Sequence, residues 1–185
     1  PHGHGILFYP NGDVYEGNFK DGPNRSGEGT MRYANNNVYR GTFREQDRQG
    51  YGTMTYSNDV IYQGQWSADS PDGRGIMYTP DGETYDGMWS FGTQTGEGRY
   101  IFKNGDQYIG NYHHSLRKGK GIYIWNNGII FDGIWDNDSL LRGIYRWPDG
   151  STYEIGTRTV RPHSNIPKPA PSSISSYIIM DEDIL

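Results

Sequence analysis

At 185 residues the chain is long enough for one ordinary domain, but 27 glycines and 16 tyrosines are unusual for a compact globule. A formal charge of −5 gives no electrostatic footprint for nucleic acid, so none is expected as a partner. With no cysteine there is no disulfide framework and no thiolate chemistry, which fits a reducing cytoplasmic compartment. No apolar run approaches the ~18 residues that a membrane-spanning helix needs.

Pro1-His2-Gly3-His4-Gly5 opens within a repeat cycle and without an initiating Met, so further repeats are expected before residue 1. The first complete motif follows. A β-favouring run through Leu7 and Tyr9 leads to an Asn11-Gly12 turn and then to Tyr15, Gly17 and Phe19. Two such runs around a turn that accepts positive φ read as an antiparallel hairpin. The best-formed copy is Gly73 to Trp89, with a Gly-x-Gly start (Gly73, Gly75), a Pro80-Asp81-Gly82 turn and a Tyr85-x-Gly87-x-Trp89 end. Gly17, Gly41, Gly64, Gly87, Gly110 and Gly133 mark the successive ends at steps of 24, 23, 23, 23 and 23 residues. A fixed period of this size marks an array whose units bury their faces on one another. At the turns the second residue is always Gly, Asn or Asp: Gly12, Asn36, Asp59, Gly82, Gly105, Gly128 and Gly150. These residues take a left-handed backbone at least cost.

Strand alternation places Tyr85, Gly87 and Trp89 on one face, together with their counterparts in the other copies. Rings over glycines form a core one side chain thick, because a Cβ would collide where the ring must lie. The segments between hairpins, such as Ser67 to Asp72 and Ser90 to Thr95, read as six-residue polar loops. They are too short for a crossover, so successive hairpins should be antiparallel sheet neighbours. The expected fold is all-β: an elongated, twisted antiparallel sheet of about seven consecutive hairpins, roughly 65 Å long at ~4.8 Å per strand.

Toward the end the pattern decays. Leu141 replaces the first Gly of its pair, and no aromatic follows Tyr153-Glu154-Ile155-Gly156. The array is therefore assigned to residues 1–160, followed by a Pro/Ser-rich linker at 161–176 and an apolar and acidic tail at 177–185.

Several segments invite a chemical reading, and their residue content argues against each. Gly119-Lys120-Gly121 lacks the further glycines and the helix of a phosphate loop. Asp136-Asn137-Asp138-Ser139 begins like a calcium loop, but Leu141 and Trp147 stand where its Gly and Glu belong. His2, His4, His113 and His114 have no recurring third ligand. The carboxylates Glu16, Asp86, Asp132 and Glu154 alternate onto the face opposite the rings. The basic run Arg117-Lys118-Gly119-Lys120 reads as a solvated loop between hairpins. No catalytic residue, metal or cofactor is expected. The face opposite the rings is different in its later half, where Ile101, Ile109, Ile122, Ile124, Ile130 and Ile144 collect. A contiguous apolar patch on a polar face is a contact-site signal, to be filled by a partner or by the tail around Ile178 and Ile179.

The pattern Tyr85-Asp86-Gly87-Met88-Trp89, a short spacer, then Gly96-Glu97-Gly98-Arg99-Tyr100, resembles the MORN (membrane occupation and recognition nexus) repeat across residues 3–156. Phe19, Phe43 and Tyr112 depart from its Trp, and Phe131 from its Tyr. The resemblance implies a non-catalytic spacer with a long surface, as in radial spoke heads, parasite cytoskeletal scaffolds, junctophilins and the accessory arrays of some kinases and methyltransferases. It implies a scaffold for protein–protein contacts, cytoplasmic and cytoskeleton-associated, with a ciliary axoneme among the settings. Two other readings stay open: a membrane-contact module for anionic phospholipid, disfavoured by the net acidity, and the targeting array of a larger enzyme. Exposed end strands also leave a homodimer open.

Overall fold

The computed structural model describes residues 2–156. Fourteen strands run in chain order from β1 (Gly3–Phe8) and β2 (Val14–Lys20) to β13 (Ser139–Arg146) and β14 (Thr152–Ile155), all in one open sheet whose spatial order is the sequence order. Every pairing is antiparallel, and no helix occurs among the described residues. The array expected to residue 160 is thus described to 156, where β14 has just ended.

The marker glycines hold the sheet in register. Gly29 on β3 (Asn24–Arg32) pairs Gly17 and Gly41, and Gly75 on β7 (Ser70–Tyr78) pairs Gly64 and Gly87. On β8 (Thr84–Ser90), Tyr85 lies flat over its own Gly87 and over Gly98 of β9 (Thr93–Ile101), so that a Cβ on either glycine would clash with the ring. The ring hydroxyl donates to the Met88 carbonyl at 3.0 Å. Tyr15, Tyr39, Tyr62 and Tyr108 repeat this bond to Asn18, Thr42, Gln65 and Asn111. Each tyrosine also meets two aromatic edges. Tyr85 stands 5.2 Å from Trp89 of its own copy and 5.2 Å from Tyr112 of the next, both edge to face. Such contacts add to area burial because the positive ring edge faces the negative ring face. Trp66, Trp89 and Trp135 each donate their indole N–H to the carbonyl of Gly52, Gly75 and Gly121.

The seven predicted turns form as expected. Gly12, Asn36, Asp59, Gly82, Gly105, Gly128 and Gly150 all have positive φ. The six-residue loops do not form. On β6 (Ile61–Ser67), Ser67 pairs Ser70 and Trp66 pairs Pro71, which leaves only Ala68 and Asp69, both at positive φ, as a tight two-residue turn. Asp72, Gly73 and Arg74 then bulge opposite the single residue Gln65, whose Oε1 accepts from the Arg74 N–H at 2.8 Å. The two glycines of each pair therefore have different tasks. Gly73 supplies positive φ for the bulge, whereas Gly75 leaves room for Tyr62. At Leu141, which has no such freedom, the bulge shrinks to one residue on β13 opposite β12 (Ile130–Asp136).

Arg117, which the sequence places in a solvated loop, is instead buried in the sheet. It lies on β11 (Leu116–Ile124) and is 2 % exposed. Its backbone N–H and Nε both donate to Asp138 Oδ1, at 2.9 and 2.8 Å, and its guanidinium sits 4.5 Å over Trp135. Arg48 does the same with Asp69 and Trp66, and Arg25 with Gln46 and Phe43. A planar cation can be buried here because the ring face and one carboxylate together replace its water. The matching position on β9 has Gln94, whose N–H donates to Ser115 Oγ at 3.1 Å, so the lattice also accepts an uncharged pair. Asp138→Ala should therefore destabilise by about 2 kcal/mol, since it removes the carboxylate that accepts from both the backbone N–H and Nε of a buried cation. The double change Arg117→Gln with Asp138→Ser should stay within about 1 kcal/mol of the parent by urea unfolding.

Successive turns are laced in the same way. Asp106 accepts from the Tyr123 hydroxyl at 2.8 Å and from the Asn126 N–H at 2.8 Å, and Glu83 accepts from the Tyr100 hydroxyl at 2.8 Å. Both carboxylates are buried among the described residues and bound to the neighbouring copy.

Candidate interaction surface

Ring packing takes up one face of the sheet, which leaves the opposite face and its exposed side chains for contacts. That face is organised in rows across the strands, because each register pair brings two side chains to about 5 Å of one another. One row runs Arg99, Ile109, Ile122, Asp132, Ile144, Glu154. The adjacent row runs Ile101, Gln107, Ile124, Ile130, Arg146. Ile109 on β10 (Gln107–His113) is therefore directly opposite Ile122, and Ile124 directly opposite Ile130. These four form one block spanning three strands. Ile109 is 42 % and Ile122 37 % exposed, and Ile124 and Ile130 are half-buried.

Ile101 and Ile144 lie on the same face but outside that block, because Gln107 and Asp132 stand between. The run of six is thus a block of four with two outliers. Ile178 and Ile179 lie outside the described residues.

The next row carries Lys120, Ile134 and Arg142, mutually paired across β11, β12 and β13; Ile134 and Arg142 are not singled out by the sequence reading, and Lys120, read there as part of a loop, lies on a strand. Lys120 and Arg142 are exposed and Ile134 is half-buried. The same alternation that found Ile122 and Ile130 also places Lys120 and Ile134, so the signal was present. Around the block, Arg99 Nη2 donates to Gln107 Oε1 at 2.9 Å, and Arg146 reaches Asp132 at 3.8 Å. The block is apolar with a basic margin on the Lys120 and Arg142 side.

At the other end of the same face a shallow polar groove is lined by Glu16, Glu28, Arg40, Thr42 and Tyr51. Thr42 Oγ1 donates to Glu28 Oε1 at 2.9 Å, and Tyr51 is 60 % exposed. No group of three or more His, Asp or Glu side chains that could hold a metal occurs among the described residues. No helix among them is long and apolar enough to cross a membrane.

An open antiparallel sheet built from a 23-residue hairpin, cored by Tyr over Gly on one face, defines a β-repeat protein in which each copy packs only on its neighbours. The family model described as the MORN repeat matches residues 1–14, 15–38, 39–59, 62–84, 85–107, 108–130 and 142–152. The chain belongs to the MORN-repeat family. No curated protein matches it significantly. Among solved structures it is similar to the TCP domain of SAS-4 (dCPAP) from Drosophila melanogaster, solved in complex with a proline-rich motif of Ana2 (dSTIL). That likeness has a TM-score of 0.53 at 16% identity, over 82% of this chain and 83% of that one. A weaker likeness is to the G-box domain of the microcephaly protein CPAP, with a TM-score of 0.47 at 14% identity over 83% of this chain and 92% of that one. At 16% identity the likeness to the SAS-4 domain is one of fold.

Proposed function

We propose that the chain is a non-enzymatic scaffold of a cytoskeletal assembly, with a ciliary axoneme as one setting, in which the stiff sheet presents protein partners along its open face. The observation that carries this reading is the isoleucine block. The ring face is taken up by the core, while Ile109 and Ile122 stand exposed side by side on the opposite face as part of a four-isoleucine block; that face also exposes Ile6, Phe8, Tyr78 and Met88, on other strands. Family membership supports it, since the MORN repeat supplies a surface of repeated hairpins. The SAS-4 TCP domain also supports it, because a sheet of similar fold takes a segment of another protein there. The chemistry of the surface, apolar with a basic margin, suits a partner segment that is apolar and acidic.

The test is proximity labelling from the full chain in ciliated cells, alongside Ile109→Thr with Ile122→Thr. The changes lie on the solvent side of the ladder and replace β-branched with β-branched residues, so circular dichroism should stay unchanged. Centriolar or axonemal proteins should be enriched by the parent chain and lost, by roughly tenfold, from the variant. Equal labelling by both chains, or flotation of the parent with anionic vesicles in place of protein capture, would overturn the reading.

A further inference from the structure

We infer that residues 177–185 dock in cis on the isoleucine block of their own chain; the inference rests on the reading of that block as a contact surface and names its resident occupant. The tail reads Tyr177-Ile178-Ile179-Met180 followed by Asp181-Glu182-Asp183. The face has the complementary order: the apolar block of Ile109, Ile122, Ile124 and Ile130, set in two rows that carry Arg99, Gln107, Asp132 and Arg146 beside it, then a row with the exposed cations Lys120 and Arg142. Successive rows on one face are two residues apart, or about 6.6 Å, which is also the spacing of alternate residues in an extended segment. An apolar run lying on the first two rows therefore delivers the acidic triplet to the third.

The connection is long enough. From Gly156 to Tyr177 is 21 residues, which can reach about 69 Å when extended. The block begins at β10, four strand spacings from β14, or about 19 Å. Its four prolines, Pro162, Pro167, Pro169 and Pro171, narrow the states available to the tether. A tether of this kind holds the tail at an effective concentration on the order of millimolar, which favours the chain's own face over that of a second copy at micromolar concentration. The consequence for the scaffold is competition. A partner segment of the same chemistry must displace the tail, so binding starts from an occupied surface and the tail sets the threshold.

The absence of cysteine makes the test direct. A nitroxide on Ser176→Cys in the full chain should bleach the isoleucine methyl resonances of Ile109, Ile122, Ile124 and Ile130, and spare Ile6 and Ile61. Lys120→Glu with Arg142→Glu should restore those signals. Adding Asp181→Lys, Glu182→Lys and Asp183→Lys to that variant should bleach them again, because the swapped charges match once more. Bleaching that is absent, or equal at Ile6, overturns the inference. Mixing isotope-labelled chain lacking the nitroxide with nitroxide-bearing chain tests the alternative; bleaching in the mixture shows docking between copies and overturns docking in cis. The contact-surface reading fails separately. If the nitroxide leaves the block untouched while Ile109→Thr with Ile122→Thr still loses its partners, the face stands and only the tail is wrong.

Discussion

Gly41→Ala should destabilise the array by more than about 3 kcal/mol and split its urea unfolding into two steps. The added methyl would lie 2.5 Å from Gly52 Cα, 2.6 Å from Tyr39 Oη and 2.7 Å from the Tyr51 carbonyl. Two of these are backbone atoms of β5 (Asp47–Thr55), so β4 (Val38–Arg44) and β5 must part by about an ångström or Tyr39 must leave. If Tyr39 leaves, its bond to the Thr42 carbonyl at 3.1 Å is lost, together with edge contacts to Phe43 at 5.1 Å and Trp66 at 5.2 Å. Each hairpin contacts only its neighbours, so a break here uncouples the copies before residue 45 from those after it, and each part then unfolds at its own midpoint. Gly82→Asn is the matched comparison. Its φ is +93°, its Cβ would meet nothing within 4 Å, and Asn36 and Asp59 already occupy equivalent turns at φ 70° and 64°. Its effect should stay within about 0.5 kcal/mol. A Gly41→Ala protein that unfolds in one step at the parent midpoint would refute the ring-over-glycine account of the core.

Alkali should unfold the sheet cooperatively between about pH 11 and 12, before its core tyrosines can ionise. Burial holds the phenols of Tyr39, Tyr62, Tyr85, Tyr108 and Tyr112 well above the ordinary value, with Arg48 and Arg117 opposing that shift at Tyr39 and Tyr108. Burial also lifts Tyr145, to about 12. Four of the five strongly shifted hydroxyls donate to a backbone carbonyl, at 2.8 to 3.1 Å, a bond that a phenolate cannot make. The folded values lie above the unfolded one, so this stability is complete below about pH 10 and is lost as pH rises above it. Each such group removes about 1.36 kcal/mol per pH unit while the unfolded phenol is ionised and the folded one is not. Five together remove about 7 kcal/mol per unit, enough to exhaust an ordinary domain's stability within two units. The measurement is circular dichroism against phenolate absorbance from pH 9 upward. Both should change together in one steep step. Gradual ionisation around pH 10 with the β signal intact would show that the rings are not sealed.

The repeat copies departures as faithfully as it copies the rule. Phe131 has the ring but no hydroxyl, so it covers Gly133 and Gly143 without the carbonyl bond its counterparts make. Leu141 lacks the freedom of Gly, and the bulge beside it narrows. At the arginine position the chain carries Arg25, Arg48, Pro71, Gln94, Arg117 and Leu140 in turn, so neighbouring copies solve one packing problem with different chemistry.

Short-range chemistry in the sequence was enough to determine the hairpin, its period, its turn residues and the shared face of Tyr85, Gly87 and Trp89. A left-handed turn needs Gly, Asn or Asp at one position, and strand alternation sorts every second residue without reference to any partner. Only the assembled sheet decided which glycine of each pair bends the backbone and which makes room for a ring, since both are the same letter. It also decided that the apparent loop between hairpins is mostly ladder, that Arg117 is buried against Asp138 twenty-one residues on, and that Asp132 separates Ile144 from Ile122. Each of these depends on what stands across the register from a residue, and register is a property of two strands, which one strand's sequence does not contain.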